Sequence, residues 1–203
     1  MEFVALDFET ATNDADSPCE MGLAVVRGGV VREVHNWLIK PRQWPFFSPF
    51  TVAVHGIRPE DVADAPRFAE VWEEAMPLVQ GRMVVAHNAA FDMNVLRSTL
   101  VSHRLALPTF NYFCSVSLSR RVWPGRKGYG LGPMCAFQGI QFKHHRAGND
   151  AEAAAQLVLR AGEVAHAATV DELLKSSKLK CGGLNPREHR TPGGKVTPLR
   201  GDQ

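Results

Sequence analysis

The sequence lacks the features that mark membrane-spanning proteins, secreted proteins and zinc fingers. It has only four cysteines in 203 residues, and none forms a C-x-x-C pair of the kind that binds zinc or works as a redox dithiol. No apolar run approaches the roughly 18 residues that a membrane-spanning helix needs, and no basic segment precedes an apolar one at the N-terminus. We therefore expect a cytoplasmic protein with free thiols and no membrane partner.

Neither sign of charge dominates the chain, but the charge is unevenly distributed. The net charge is only +2, yet residues 175–203 hold seven Lys and Arg against two acids, so the first 174 residues hold 16 against 19. This terminal segment also has five glycines, three prolines and few large apolar residues. Such a composition buries too little surface to offset its ordering entropy. We predict one folded domain over 1–174 and a flexible basic extension over 175–203.

The order of strand and helix signals predicts an α/β fold with a mixed five-stranded sheet flanked by helices. Three antiparallel strands come first, because Gly28 and Gly29 supply a hairpin turn between alternating apolar runs. Two further strands alternate with helices. The predicted strands cover 2–9, 20–26, 30–39, 83–86 and 110–114, and the predicted helices cover 58–63, a segment from about 66, 91–103, 115–122, 131–137 and 150–167.

Two acidic residues share one face of the first predicted strand. Asp7 and Glu9 are two residues apart in EFVALDFET, so the strand period places their side chains next to each other. Two like charges on a buried strand repel each other and lose hydration unless something compensates, and a divalent cation would do so. A solvated strand end is the alternative interpretation, and D-x-E alone does not exclude it.

Two further acidic residues follow at the ends of other predicted elements. Asp92 in VVAHNAAFD comes just after a predicted buried strand, and Asp150 in HHRAGND lies at the start of the last predicted helix. Each could serve only its own helix, as a first-turn charge or as an N-cap. The occurrence of all four carboxylates at sheet ends instead predicts an oxygen-rich site for hard cations such as Mg²⁺ or Mn²⁺.

A histidine precedes the last acidic residue. His145 lies five residues before Asp150, in the loop that leads into the helix. Histidine has the side-chain pKa best suited to taking a proton from water near neutral pH, so His145 is the candidate general base. His144 is the competing candidate, and a surface loop histidine is the alternative.

These motifs resemble those of the DEDDh 3′-to-5′ exonucleases, the family that includes the proofreading epsilon subunit of bacterial replicative DNA polymerase and stand-alone epsilon-like exonucleases. DFET resembles the first family motif, HNAAFD the second and HRAGND the third. The likeness extends over about residues 2–165, through FVALDFETA, FSPFTVAVHGI, VVAHNAAFDMNVLR and SLSRRVWPG. It implies a ribonuclease H-like fold, which the predicted order of elements also favours.

The resemblance implies a two-metal hydrolysis of phosphodiester bonds. Asp7 would contact both divalent cations, Glu9 and Asp150 would hold one, Asp92 would hold the second, and His145 would take the proton of the attacking water. The implied reaction releases nucleoside 5′-monophosphates from the 3′ end of single-stranded or frayed DNA.

Three residues are candidates for binding the terminal nucleotide. Thr10 and His55 stand at positions that resemble the family's nucleotide pocket, and Phe91 is placed to stack on a base. Phe8 points to the opposite face of its strand, so we expect it in the core. The remaining aromatic residues of the loop before His55 are expected to pack on the sheet, namely Trp44, Phe46, Phe47 and Phe50.

Two other functions fit the same residues. One is an exoribonuclease on short RNA, because contacts to the 2′-hydroxyl decide between DNA and RNA. The other is a non-catalytic nucleic-acid-binding module associated with a DNA polymerase, although such a module would be free to lose a carboxylate that this chain keeps.

Overall fold

A computed structural model describes residues 1–198 of the chain, and residues 199–203, the end of the predicted basic extension, lie outside the described residues. All strands belong to one mixed sheet. In chain order they are β1 (Phe3–Thr10), β2 (Pro18–Arg27), β3 (Val30–Leu38), β4 (Met83–Ala86), β5 (Phe110–Cys114), β6 (Gly182–Leu184), β7 (Glu188–Arg190) and β8 (Val196–Pro198).

The sheet has the strand order β3-β2-β1-β4-β5-β6-β7-β8. β1 and β3 pair antiparallel with β2, whereas β4 runs parallel to β1 and β5 runs parallel to β4. The carboxyl ends of β1, β4 and β5 therefore meet at one edge of the sheet. In a sheet of this kind, side chains from several strands can converge at that edge.

Helices cover both faces of the sheet. They are α1 (Pro49–His55), α2 (Phe68–Val79), α3 (Ala90–Ser102), α4 (Ser115–Val122), α5 (Leu131–Gln138), α6 (Ala147–Val164) and α7 (Val170–Ser176), with a 3₁₀ turn at Pro59–Val62. Val4, Leu6 and Phe8 of β1 pack with α2 and α3, whereas Phe3 and Ala5 pack with α6 and α7. Within residues 1–198, no helix has both the length and the apolar character needed to cross a membrane.

The ribonuclease H-like class is confirmed, but the expected number of five strands is wrong, because the described sheet has eight. The three additional strands come from residues 182–198 of the segment predicted as an extension. Composition favoured disorder there, yet the edge of β5 offers backbone groups that β6 pairs with. The hydroxyl of Tyr112 on β5 also lies 2.8 Å from Nε2 of His189 on β7, within hydrogen-bonding distance. The division of the chain at residue 174 stays a prediction.

Three helices differ from the sequence prediction, and one of them, α7, was not predicted at all. α1 begins in a segment rich in proline and phenylalanine that was expected to be a loop, with Pro49 in its first turn, where the missing N–H costs nothing. α6 begins at Ala147 and ends at Val164 rather than covering 150–167. Asp150 is therefore a first-turn residue and not the N-cap, since other side chains bind the first N–H groups of this helix.

Candidate active site

Three carboxylates meet at the edge of the sheet where β1 ends. Asp7 and Glu9 of β1 and Asp150 in the first turn of α6 each offer an oxygen, and these oxygens lie within 4.8 Å of one another. Asp7 and Glu9 are partly buried and Asp150 is buried. They converge because the odd-numbered side chains of β1 face α6. The predicted pairing of Asp7 with Glu9 on one strand face is thus seen in the structure.

The fourth predicted carboxylate, Asp92, lies in the first turn of α3 on the other side of β1. It is 1% exposed, and its Oδ1 accepts a hydrogen bond of 3.2 Å from the backbone N–H of Phe8. Its Oδ2 is also buried and has no hydrogen-bond partner among residues 1–198. A buried carboxylate oxygen without a partner is costly, so this atom points to a ligand that is a cation.

Burial and mutual repulsion raise the pKa values of these groups. The pKa of Asp7 lies well above its usual value because of burial first, and then because of Asp92, Asp150, Glu9 and Glu20. Burial, followed by the charges of Asp150 and Glu20, raises the pKa of Glu9 to about 8. Burial also raises the pKa of Asp92. So many carboxylates in so little space are stable together only with protons or with cations.

The donor set fits hard divalent cations. It consists of carboxylate oxygens alone, which Mg²⁺ and Mn²⁺ prefer, and no thiolate belongs to it. The unpartnered Oδ2 of Asp92 adds a fourth acidic donor next to the same strand. The four residues Asp7, Glu9, Asp92 and Asp150 are called the carboxylate cluster below.

Two stacked histidines lie beside Asp150. The rings of His144 and His145 are 3.9 Å apart between centroids and nearly parallel, at 7°. Nδ1 of His144 lies within hydrogen-bonding distance of Oδ1 of Asp150. Burial first, and then His144, lower the pKa of His145, so its ring is neutral near pH 7 and can accept a proton. The assignment of the general base to His145 stays a prediction, and His144 has the direct contact with Asp150.

The backbone of His145 has a left-handed conformation with φ of 65°. For a residue other than glycine this costs roughly 1–3 kcal/mol, and such strain concentrates at functional sites. The N–H of the next residue, Arg146, donates a 2.9 Å hydrogen bond to Oδ2 of Asp150. The histidine loop and the metal-ligand candidate are thus held together.

His55 braces the end of β1. Its Nδ1 accepts a 3.0 Å hydrogen bond from the N–H of Ile57, so the proton is on Nε2, which lies 3.1 Å from the carbonyl oxygen of Thr10. Burial lowers the pKa of His55, which is consistent with a neutral ring. Both nitrogens therefore serve the backbone, and substrate binding by Thr10 and His55 stays a prediction.

A cleft of about 390 Å³ opens next to Glu9, and Thr10, His55 and Phe91 also line it. The Phe91 side chain is 44% exposed, so it is available to a base. Phe50 of α1 lines the same cleft and is 82% exposed, which contradicts the expectation that it packs on the sheet. Of the loop aromatics only Phe47 is buried, whereas Trp44 and Phe46 are also exposed. Phe8 is in the core, as expected.

A fifth carboxylate near the site, Glu20, is not among the residues that the sequence motifs indicate. It lies on β2 opposite Glu9 in the strand register and is 0% exposed. It contacts Arg146 and the first residue of α6. A buried acid in the apolar run PCEMGLAVV was the available signal, since charges are almost never fully buried unless paired.

Comparisons with known proteins agree with this geometry. The family model of the RNase T exonucleases matches residues 4–158. The chain is 31% identical over 156 residues to the 3′-5′ exonuclease DinG of Bacillus subtilis, covering 74% of this chain and 16% of that protein. It is 30% identical over 145 residues to DNA polymerase III subunit epsilon of Escherichia coli, covering 66% and 58%. The chain thus spans only part of these relatives.

Among solved structures, the chain is similar to Exonuclease X in complex with 5′ overhanging duplex DNA. The TM-score is 0.68 at 25% identity, covering 86% of this chain and 98% of that one. The fold similarity extends to the nuclease domain of 3′hExo, a DEDDh family member, with a TM-score of 0.67 at 14% identity, covering 80% and 92%. Because the family model covers the sheet edge and all four carboxylates, this chain belongs to the RNase T exonuclease family.

Proposed function

We propose that this protein is a metal-dependent 3′-5′ exonuclease that removes nucleoside 5′-monophosphates from the 3′ end of single-stranded or frayed DNA. The observation that carries the proposal is the convergence of Asp7, Glu9 and Asp150, with the unpartnered buried oxygen of Asp92 beside them. The family and the printed activity of its relative DinG support the reaction class.

The residues of the carboxylate cluster would hold two divalent cations, Mg²⁺ or Mn²⁺. Asp7 would contact both, Glu9 and Asp150 would hold one, and Asp92 would hold the other. When bound, such ions lower the pKa of a water from 15.7 toward about 7 and stabilise the charge on the leaving oxygen. His145 receives the proton of the attacking water on its neutral ring, which burial keeps uncharged near pH 7.

The terminal nucleotide occupies the cleft beside Glu9 in this proposal. Phe91 and Phe50 offer two exposed aromatic side chains in that cleft, and base–aromatic stacking contributes about 1–3 kcal/mol per base. Stacking accepts any base, which suits an enzyme that removes successive nucleotides. His55 contributes by fixing the carbonyl of Thr10 at the wall of the cleft.

A basic surface lies at the same edge of the sheet. Residues 115–130 hold four basic residues (Lys or Arg) and no acidic residue. Residues 175–198 hold six basic residues and one acidic residue. They meet where Arg121, Lys178 and Lys180, called the basic surface below, line a cavity of about 310 Å³ together with Cys114, the last residue of β5. None of these three cations belongs to an ion pair within residues 1–198. We place the phosphate backbone behind the 3′ end on this surface.

Hydrolysis of matched strands tests the proposal. DNA strands labelled at the 5′ or the 3′ end are incubated with the protein and Mn²⁺, with EDTA as the control. We expect 3′-labelled DNA to release labelled mononucleotide at once and 5′-labelled DNA to shorten stepwise. Immediate release of labelled mononucleotide from 5′-labelled DNA, before the strand has shortened, would contradict the proposal. Cleavage that persists in EDTA would also contradict it.

The same assay separates the other candidates. Faster hydrolysis of RNA than of DNA would favour the exoribonuclease, and binding without hydrolysis would favour the non-catalytic module. The epsilon subunit of Escherichia coli belongs, by its name, to a DNA polymerase, which makes a polymerase a candidate partner here too. DNA is the favoured substrate because the 25% identical Exonuclease X is seen with duplex DNA.

A further inference from the structure

Glu20 is a completely buried acid that belongs neither to the carboxylate cluster nor to the nucleotide cleft. It is 0% exposed and lies on β2, opposite Glu9 in the antiparallel register. A second negative charge beside Glu9 works against folding, and burial of a charge costs free energy unless the charge is paired and hydrogen-bonded. The two oxygens of Glu20 therefore need partners that compensate for this cost.

Both carboxylate oxygens of Glu20 accept hydrogen bonds at the start of α6. Oε1 accepts hydrogen bonds from Nε and Nη2 of Arg146, at 2.9 and 2.6 Å, and from Nδ2 of Asn36, at 2.8 Å. Oε2 accepts a 2.9 Å hydrogen bond from the backbone N–H of Ala147, the first residue of the helix. The carboxylate thus pairs with the residue before α6 and also binds one of the free N–H groups at its N-terminus.

The helix start lies directly on the backbone of β2. A Cβ atom at Gly22 would clash with the carbonyl carbon and oxygen of Ala147, so only glycine permits this approach. The next N–H group of the helix, that of Gly148, donates a 2.7 Å hydrogen bond to Oδ1 of Asn36 on β3. Together these contacts fix both the depth and the rotation of the first turn of α6.

We propose that Glu20 is a positioning residue for the carboxylate cluster. Through Arg146 and Ala147 it sets where the first turn of α6 places Asp150 relative to Asp7 and Glu9. Arg146 also binds Asp150 directly through its N–H, at 2.9 Å, and follows His145 in the chain. Glu20 has this role for catalysis only if the proposed function is right, but its effect on cation binding is measurable without hydrolysis.

The test is the affinity of the full-length chain for Mn²⁺, measured by isothermal titration calorimetry. We expect Glu20→Gln, which keeps the size of the side chain and removes its charge, to weaken Mn²⁺ binding about 10- to 100-fold. Turnover at saturating Mn²⁺ should return to within a few fold of wild type. Arg146→Lys keeps the positive charge but loses the two-pronged contact with Glu20. Its Mn²⁺ affinity should therefore lie between those of the wild type and of Glu20→Gln. A folded Glu20→Gln protein with wild-type Mn²⁺ affinity would overturn the proposal.

A matched control removes a carboxylate from the same pair of strands. Glu33→Gln breaks the 2.9 Å ion pair with Arg27 at the far end of β2 and β3, and it should leave Mn²⁺ affinity unchanged. Melting temperatures are recorded for every variant. A lower melting temperature of Glu20→Gln with unchanged Mn²⁺ affinity would show a role in stability alone and overturn the positioning role.

A second variant keeps the proposal testable if Glu20→Gln does not fold. Asn36→Ala removes the hydrogen bonds to Gly148 and to Oε1 of Glu20 but leaves the ion pair between Glu20 and Arg146 in place, so we expect a loss of Mn²⁺ affinity of a few fold. Unchanged affinity in that variant would count against positioning by this network. Wild-type protein that binds Mn²⁺ but hydrolyses no strand would contradict the proposed function and leave the positioning role standing.

Discussion

The carboxylate cluster and the basic surface lie at the same edge of the sheet, yet they are built in opposite ways. The cluster stands on β1 and on the first turns of α3 and α6, where Asp92 and Asp150 are buried and the backbone fixes each side chain. Arg121, Lys178 and Lys180 are exposed, and flexible stems carry their charges. This contrast fits the two proposed roles, because bond cleavage needs fixed atoms, whereas attraction of a phosphate backbone needs only charge.

The largest effect is expected from the cluster. Asp7→Asn should lower Mn²⁺-supported turnover by more than about 10³-fold, since loss of even one preorganised electrostatic contact at a reaction centre costs about 10²–10³-fold. Single-turnover hydrolysis of a labelled DNA strand measures the change. Asp64→Asn, which removes an exposed acid on the loop before α2, is the control and should be neutral. Near-normal turnover of Asp7→Asn would remove the contrast between the two regions.

The stacked histidines come next in size. His145→Ala should lower turnover about 10²- to 10⁴-fold and leave Mn²⁺ affinity nearly unchanged, because in the proposed mechanism His145 would move a proton and would hold no ion. The pH–rate profile should lose its ascending limb. His144→Ala is the matched comparison, since His144 contacts Asp150. If His144→Ala alone removed that limb, the general base would be His144.

The basic surface should change affinity rather than chemistry. Replacing Arg121, Lys178 and Lys180 with Gln should flatten the plot of log K against log[salt] for single strands by about 2, at roughly 0.7 per phosphate contact. Fluorescence anisotropy of a labelled strand measures this salt slope, with Ca²⁺ in place of Mn²⁺. Turnover at saturating substrate should hardly change, because no residue of the cluster is altered.

A control with the same loss of charge sharpens this comparison. Arg27, Arg32 and Arg82 lie near the opposite edge of the sheet, where β1 and β4 begin. Their replacement with Gln should leave the salt slope unchanged. Equal slopes for the two triple variants would mean that net charge, and not the basic surface, attracts the nucleic acid.

The smallest effect concerns stability without metal. Folding raises the pKa of Glu9 to about 8 from 4.5, so the folded state holds a proton that the unfolded state releases. The free energy of unfolding of the metal-free protein should therefore fall as the pH rises from about 4.5 to about 8, and then level off. Thermal melts in EDTA at pH 5.5 and pH 8.5 measure the difference.

A variant tests the cause of that loss. Glu9→Gln should flatten the pH dependence and raise the melting temperature at pH 8.5, by about 2–4 °C for each kcal/mol of repulsion relieved. Addition of Mn²⁺ at pH 8.5 should stabilise the wild type more than the variant, which keeps Asp7, Asp92 and Asp150 as ligands. A melting temperature of wild type that rises with pH in EDTA would contradict the electrostatic account.

The strand and helix periods predicted much of the fold around the site. The bounds of β4, β5 and α4 follow from the sequence, and the period of β1 places Asp7 and Glu9 on one face. The composition of residues 182–198 suggests disorder, whereas the structure has three strands there. The glycines behind that expectation are the residues that allow β6 to lie against Tyr112. Pairing with an existing edge is a tertiary event that no local pattern contains.

The sequence predicts the acidic residues of the candidate site but not the residues that hold them in position. Asp92 and Asp150 are recognisable from their places after a strand and before a helix. The apolar run around Glu20 could have marked it as a buried acid, but its role could not be predicted, because its partners Arg146 and Ala147 lie more than 120 residues away in the chain. Phe50 was misjudged for a related reason, since the helix that presents it to the cleft begins at Pro49 in a segment with loop composition.

In the proposed function, the carboxylate cluster holds two divalent cations beside a 3′-terminal nucleotide. Both can be located by diffraction at the manganese absorption edge, from crystals grown with Mn²⁺ and thymidine 5′-monophosphate. We expect two anomalous peaks among the carboxylates of Asp7, Glu9, Asp92 and Asp150, with the nucleotide in the cleft beside Phe91. Manganese bound elsewhere, or a cluster without any peak in such crystals, would contradict it.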